Sequence, residues 1–211
     1  KPVPPDLFIA AAEEANLIVE LGDWVLSASC QTLARLRHLL PRGFERLAIN
    51  ISPVQFLNAN FFDQLVFHIE AFDIPPGLVE LEITEGIFVN DKQLVKSLIQ
   101  RLVHHGFNVS MDDFGTGYSS LSYLQSLPFQ TLKIDRSFVS NINNSAADAN
   151  IVDYIIQLGH SLYLDIVAEG VETEQQREYL LSHGCTKFQG YLFSKPLDET
   201  AFIEYLTPDS S

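Results

Sequence analysis

Six times in succession this chain runs from a short β-type segment into a helical pattern. The β-type segments fall at 46–51, 79–84, 108–112, 131–135, 164–168 and 187–189. The helical patterns that follow them fall at 60–72, 92–105, 119–127, 148–161, 173–183 and 199–206. Strand then helix, repeated, predicts a parallel α/β domain. Two helices precede the rhythm, 6–17 just after Pro5 and 23–40 stopped by Pro41. The segment 187–189 has little β character of its own and is assigned from the rhythm.

The strands alternate strictly. Leu47, Ile49 and Ile51 alternate with Ala48 and Asn50, and Val79, Leu81 and Ile83 with Glu80 and Glu82. Val109 and Met111 alternate with Ser110 and Asp112, Leu132 and Ile134 with Thr131, Lys133 and Asp135, and Ile166 and Ala168 with Val167 and Glu169. A period of two puts each set on one face. An open sheet covered by helices on both sides wants apolar residues on both faces. Here one face turns polar toward the strand C-termini. That predicts a TIM-type (β/α) barrel, helices outside and a polar mouth inside. A full barrel has eight strands in about 250 residues, or about 31 per unit. Six βα units are visible, so the first two strands are expected upstream of residue 1.

Composition narrows the partners. Hydrophobic residues are 46 % and charged residues 19 %, a globular balance that excludes disorder as the main state. Lys plus Arg is 13 against 27 Asp plus Glu, a net charge of −14. That argues against a nucleic acid polymer or an anionic membrane as principal partner. Cys30 and Cys185 make no disulfide framework and fit a reducing cytoplasm. No apolar run approaches the ~18 residues of a membrane span. Lys1-Pro2-Val3-Pro4-Pro5 is no signal peptide and lacks an initiator Met, so residues 1–211 are expected to be a single domain of a longer chain.

Chemistry in such barrels sits at the strand C-termini. Those ends carry Asn50, Glu82, Asp112 with Asp113, Lys133 with Asp135, Glu169 and Gln189. The set is rich in oxygen and holds neither His nor Cys, which suits Mg²⁺ or Mn²⁺. The adjacent Asp112-Asp113 pair could share two ions, the usual device for in-line attack on a phosphodiester. Lys133 adds a positive charge for a developing oxyanion or a water. A single strand-end carboxylate more often caps the next helix; the repetition on one parity is what points to a site. Asp112-Asp113-Phe114-Gly115 contains the Asp-Phe-Gly triplet of protein kinases, but no Gly-rich phosphate loop or His-Arg-Asp loop accompanies it. Trp24 and the fifteen Phe read mostly as core; Tyr191 and Phe193, which follow the last strand, read as core first and as a pair that could stack a base second.

Taken together these residues resemble the EAL domain of bacterial cyclic-di-GMP phosphodiesterases. Phe8-Ile9, Ala12-Glu13-Glu14 and Leu17-Ile18 are similar to its first helix. Asn50-Ile51-Ser52, Glu82-Ile83-Thr84-Glu85, the DDFGTGYSSL run from Asp112 to Leu121, Lys133-Ile134-Asp135, Glu169-Gly170-Val171-Glu172 and Gln189-Gly190-Tyr191 follow in the family's order. The resemblance implies hydrolysis of cyclic-di-GMP to linear pGpG with two Mg²⁺ or Mn²⁺ ions. It implies that Asn50, Glu82 and Asp112 bind one metal and that Asp112, Asp113 and Glu169 engage the second. Lys133 would contact the attacking water and Glu169 would help deprotonate it, with Asp113 beside them. Glu85 would anchor the loop that begins at Asp113. Asp135, Glu172 and Gln189 would hold water, metal shell or substrate. The Glu-Ala-Leu motif itself is absent from 1–211 and is expected on the upstream strands, so this piece alone is expected to be inactive. The resemblance also implies sensor or GGDEF domains in the parent chain, is compatible with a homodimer, and leaves room for a membrane anchor elsewhere in a parent protein acting in the cytoplasm. The alternative is a catalytically inactive EAL-like receptor of cyclic-di-GMP.

Overall fold

The computed structural model describes residues 3–89, 91–116, 121–142 and 146–207. It comprises two compact units, Lys1–Ile83 with Val89–Asn108, and Thr84–Phe88 with Val109–Ser211.

The first unit opens with α1 (Pro5–Glu14) and α2 (Ile18–Leu36). β1 (Leu47–Asn50), α3 (Pro53–Phe56), α4 (Phe61–Ala71), β2 (Val79–Thr84) and α5 (Lys92–His105) follow. β1 and β2 pair in parallel, Leu47 opposite Val79 and Asn50 opposite Glu82. α2 buries Ile18, Gly22, Leu26, Cys30, Leu33 and Leu36, a three-and-four spacing that makes one stripe. The helix packs on α3, α4 and β1. Val79, Leu81 and Ile83 are fully buried, and Glu80 and Glu82 between them are buried as well. A buried carboxylate needs a partner, and Arg46 donates from Nη1 to Glu80 Oε2 at 2.7 Å.

The second unit carries β3 (Asn108–Phe114), all but its first residue, then α6 (Leu121–Ser126), β4 (Thr131–Ile134) and α7 (Arg136–Val139). It continues with α8 (Ala146–Ser161), β5 (Asp165–Ala168), α9 (Glu174–Ser182), β6 (Lys187–Phe188) and α10 (Glu199–Leu206). β3, β4, β5 and β6 pair in parallel in chain order. α8 lies against β4, β5 and α7. Met111, Leu132, Ile134, Ile166 and Ala168 fill the apolar side, while Ser110, Asp112, Thr131 and Lys133 are buried on the alternate parity. Among the described residues no helix is long and apolar enough to cross a membrane.

Several boundaries move. α2 begins at Ile18 rather than 23 and ends at Leu36 rather than 40. Gly22 discourages a helix locally, yet it lies inside α2 because an added Cβ there would meet the Gln55 side chain; close packing overrides propensity. α3 and α7 have only four residues each and show no periodicity to read. Their signal was the cap: Ser52 and Asp135 each accept a backbone N–H at the helix start. α8 starts at Ala146, two residues before the helical pattern expected from 148. β6 shrinks to two residues. Trp24 is 66 % exposed and Tyr191 57 %, and Phe193 is also exposed, so none of the three is core. Residues 117–120 of the DDFGTGYSSL run, including the start of the helix expected at 119–127, lie outside the described residues.

Candidate active site

Adjacent residues of a regular strand point to opposite faces, so Asp112 and Asp113 should not meet at one site. β3 breaks that rule. Met111 pairs with Leu132 and Phe114 with Ile134, so Asp112 and Asp113 together oppose Lys133 alone. This is a bulge, and Asp113 takes a left-handed φ of 53° to make it. The result is that one carboxylate oxygen from each of Asp112, Asp113 and Glu169 lies within 4.8 Å of the others. Lys133, at the end of β4 and only 3 % exposed, reaches both sides of the cluster. Its Nζ is 2.6 Å from Glu169 Oε1 and 3.2 Å from Asp112 Oδ1. Asp112 Oδ1 also accepts the Asp113 backbone N–H at 3.0 Å.

The charges are unbalanced. Burial first, and then the charges of Asp112, Asp135 and Glu169 with a hydrogen bond to Asp135, push the Asp113 carboxyl up to about 6. Burial likewise raises Glu169; Lys133 opposes it, and Asp112 and Asp135 add to it. One ammonium does not neutralise four crowded carboxylates, and a hard cation would. The donor set fits Mg²⁺ or Mn²⁺, since among the described residues the group that meets the spacing of a metal site holds carboxylates alone.

Asp135 has a double setting. It caps α7, accepting the Ser137 backbone N–H at 2.9 Å and the Ser137 hydroxyl. It also meets the Asp113 carboxyl. Glu85 Oε1 accepts the Gly115 backbone N–H at 2.9 Å, two residues beyond the bulge. Glu172 and Gln189 are exposed. Glu172 donates its backbone N–H to Gln176 Oε1 at 2.8 Å, and Gln189 joins Ala168 and Val171 through its backbone. Glu172 is not part of the three-carboxylate group. In the first unit Asn50 and Glu82 sit opposite each other at the ends of β1 and β2, Asn50 exposed and Glu82 buried.

Sequence reasoning missed the frame that fixes Glu169. Gly170 follows it at φ 66°, and a Cβ there would come within 2.5 Å of Arg136 Cβ. Val171 then lays its backbone directly on Gly190. The glycines were visible in the Glu-Gly-Val-Glu and Gln-Gly-Tyr motifs, but their packing partners were not.

The raised Asp113 value has a checkable consequence in the metal-free protein. The folded state holds this proton more tightly than the unfolded chain does. Stability from this group is therefore present below the ordinary value of 3.8 and is lost as pH rises toward about 6. A carbon-13 carboxyl titration by NMR should give a midpoint near 6 for Asp113. A midpoint at the ordinary aspartate value would contradict the crowding.

The family model described as EAL domain matches residues 1–196. Cyclic di-GMP phosphodiesterase NbdA of Pseudomonas aeruginosa is 41 % identical over 202 residues, covering 96 % of this chain and 26 % of NbdA. The bifunctional diguanylate cyclase/cyclic di-GMP phosphodiesterase MucR of the same species is 40 % identical over 197 residues, 92 % of this chain and 28 % of MucR. A solved structure of the MucR phosphodiesterase in complex with c-di-GMP matches with a TM-score of 0.90 at 38 % identity, covering 95 % of this chain and 81 % of that one. The chain thus spans between a quarter and a third of the length of these curated relatives. The TIM-type (β/α) class expected from strand parity is borne out by that likeness. With a family model matched along nearly its whole length, the chain belongs to the EAL domain family.

Proposed function

We propose that this chain is the hydrolytic domain of a cyclic-di-GMP phosphodiesterase, dependent on two Mg²⁺ or Mn²⁺ ions and forming linear pGpG. The observation that carries the reading is the meeting of Asp112, Asp113 and Glu169 oxygens within 4.8 Å, with Lys133 Nζ 2.6 Å from Glu169. The c-di-GMP named in the MucR structure and the activity named for NbdA support the substrate. Asn50, Glu82 and Asp112 would hold one ion, and Asp112, Asp113 and Glu169 the other. When bound, such ions supply Lewis-acid charge at the phosphoryl oxygens.

The chain's own residues do the rest. Lys133 fixes the Glu169 carboxylate and donates toward the water that attacks phosphorus. Glu169, raised by burial, takes the proton that this water loses. One bond from water oxygen to phosphorus forms and the ester bond to a ribose 3′-oxygen breaks; that oxygen takes a proton from solvent, leaving a 5′-phosphate and a free 3′-hydroxyl. Asp135 steadies Asp113, while Glu172 and Gln189 flank the strand ends where the substrate would lie. In the cell the chain would act in the cytoplasm as one domain of a longer signalling protein, with sensor or GGDEF domains beside it and a homodimer as its assembly.

Substituting Glu82 and His105 separately in the full-length protein tests the strand-end assignment. Glu82→Ala removes a buried carboxylate at a strand C-terminus and should lower turnover of cyclic-di-GMP by about a hundredfold. His105→Ala alters the last turn of α5, where the ring meets Phe62 and Phe107, and should leave turnover within about twofold. If His105→Ala is the inactive variant, the assignment is wrong.

A further inference from the structure

The short turn Glu85–Val89 is a 3₁₀ helix, in which residues three apart eclipse one another. Glu85 and Phe88 are such a pair. Glu85 accepts the Gly115 N–H at 2.9 Å. Phe88 stacks on Tyr123 of α6, ring centroids 4.4 Å apart and planes inclined by 8°. Gly115 and Tyr123 stand on opposite sides of residues 117–120 in the DDFGTGYSSL run. One turn therefore meets the chain on both sides of residues 117–120, by a hydrogen bond from Gly115 beside the bulge and by an aromatic stack with Tyr123 of α6.

From this we infer that Phe88 and Tyr123 are positioning residues for the reaction, acting through the Glu85–Gly115 bond on the Asp112–Asp113 bulge. The inference rests on the phosphodiesterase reading for its catalytic half. An ordinary core role would need only apolar bulk at these positions, and leucine would supply it. Phe88 is buried, yet the near-parallel rings select a flat partner. Losing the stack frees the turn to rotate, which lengthens the Glu85–Gly115 bond and loosens Asp113, whose left-handed backbone depends on its surroundings.

The test uses the full-length protein carrying Phe88→Leu, Tyr123→Leu, the double variant and Tyr123→Phe. Two readouts are taken: amide hydrogen exchange of the Gly115 N–H without metal, and kcat and KM for cyclic-di-GMP with Mn²⁺. Each leucine variant should accelerate Gly115 exchange by roughly fivefold and lower kcat by roughly tenfold, with KM within about twofold. The double variant should be no worse than either single, because both break one contact. Tyr123→Phe keeps the ring and should match the wild type in both readouts. Unchanged Gly115 exchange in the leucine variants overturns the inference, and so does faster exchange with unchanged kcat. A wild-type protein that turns over no cyclic-di-GMP removes the phosphodiesterase reading instead, and the exchange result alone then upholds or overturns the coupling.

Discussion

Lys133→Met is expected to cost about 3 kcal/mol of stability in the metal-free protein and to lower turnover about a thousandfold. The lysine is almost fully buried and lies within ion-pair distance of two carboxylates, Glu169 and Asp112. Methionine matches its length but leaves both carboxylates without that charge, and an unpaired buried charge is expensive. Of the influences on Glu169, Lys133 is the one that holds its carboxyl down, so the variant's Glu169 goes further up. On the proposed mechanism turnover falls because Glu169, the proposed base, loses its orientation and the attacking water its proposed donor. Urea unfolding in excess chelator and again in Mg²⁺ separates the two effects. The metal should recover part of the lost stability, since a cation can replace the missing charge, while turnover stays low. A variant as stable as the wild type in chelator would mean that Lys133 does not neutralise the cluster.

Gly190→Ala should destabilise the second unit more than any surface change. An added Cβ would stand 2.2 Å from Val171 O, 2.4 Å from Val171 N and 2.7 Å from Val171 C, all backbone atoms. No rotamer relieves such a clash, so the chain must open. It would strain the Val171 N–H to Gln189 O bond of 3.1 Å and the Leu192 N–H to Val171 O bond of 3.0 Å. A loss of about 3 kcal/mol follows, or a melting temperature lower by about 6–12 °C for a chain of this size. Activity should fall with it, because Val171 lies two residues from Glu169. Gly43 is the internal comparison: nothing stands within 4 Å of a Cβ there, and Gly43→Ala should leave the melting temperature nearly unchanged. Equal melts for the two variants would show that the Val171 contact carries no weight.

Parity carried most of the fold. Val79, Leu81 and Ile83 against Glu80 and Glu82 was a pattern visible in the letters, and it matches the burial of all five. The polar face could be read because a barrel interior tolerates charge only where charges meet, as Glu80 meets Arg46. The Asp112-Asp113 pair was legible as chemistry but not as geometry. Alternation sends neighbours to opposite faces, and only a backbone bulge reverses that. Its trace in the sequence was faint: a glycine, Gly115, two residues on, itself at φ 97°. Trp24, Tyr191 and Phe193 went the other way. A large aromatic in a sequence is read as core from its chemistry, but burial depends on a neighbour that the sequence does not name. Asp135 was both things at once, a helix cap and a member of the carboxylate field, so weighing one against the other was the wrong choice to pose.

The oxygen-only cluster around Lys133 is proposed to make this EAL domain a cation-dependent cyclic-di-GMP hydrolase. The most direct measurement follows the full-length protein with cyclic-di-GMP by chromatography and mass spectrometry, in Mg²⁺, in Mn²⁺, in Ca²⁺ and in excess chelator. Linear pGpG should accumulate with Mg²⁺ or Mn²⁺, stop in chelator, and stay suppressed with Ca²⁺, whose larger and looser shell suits in-line attack poorly. Equal accumulation of pGpG in excess chelator would contradict the claim.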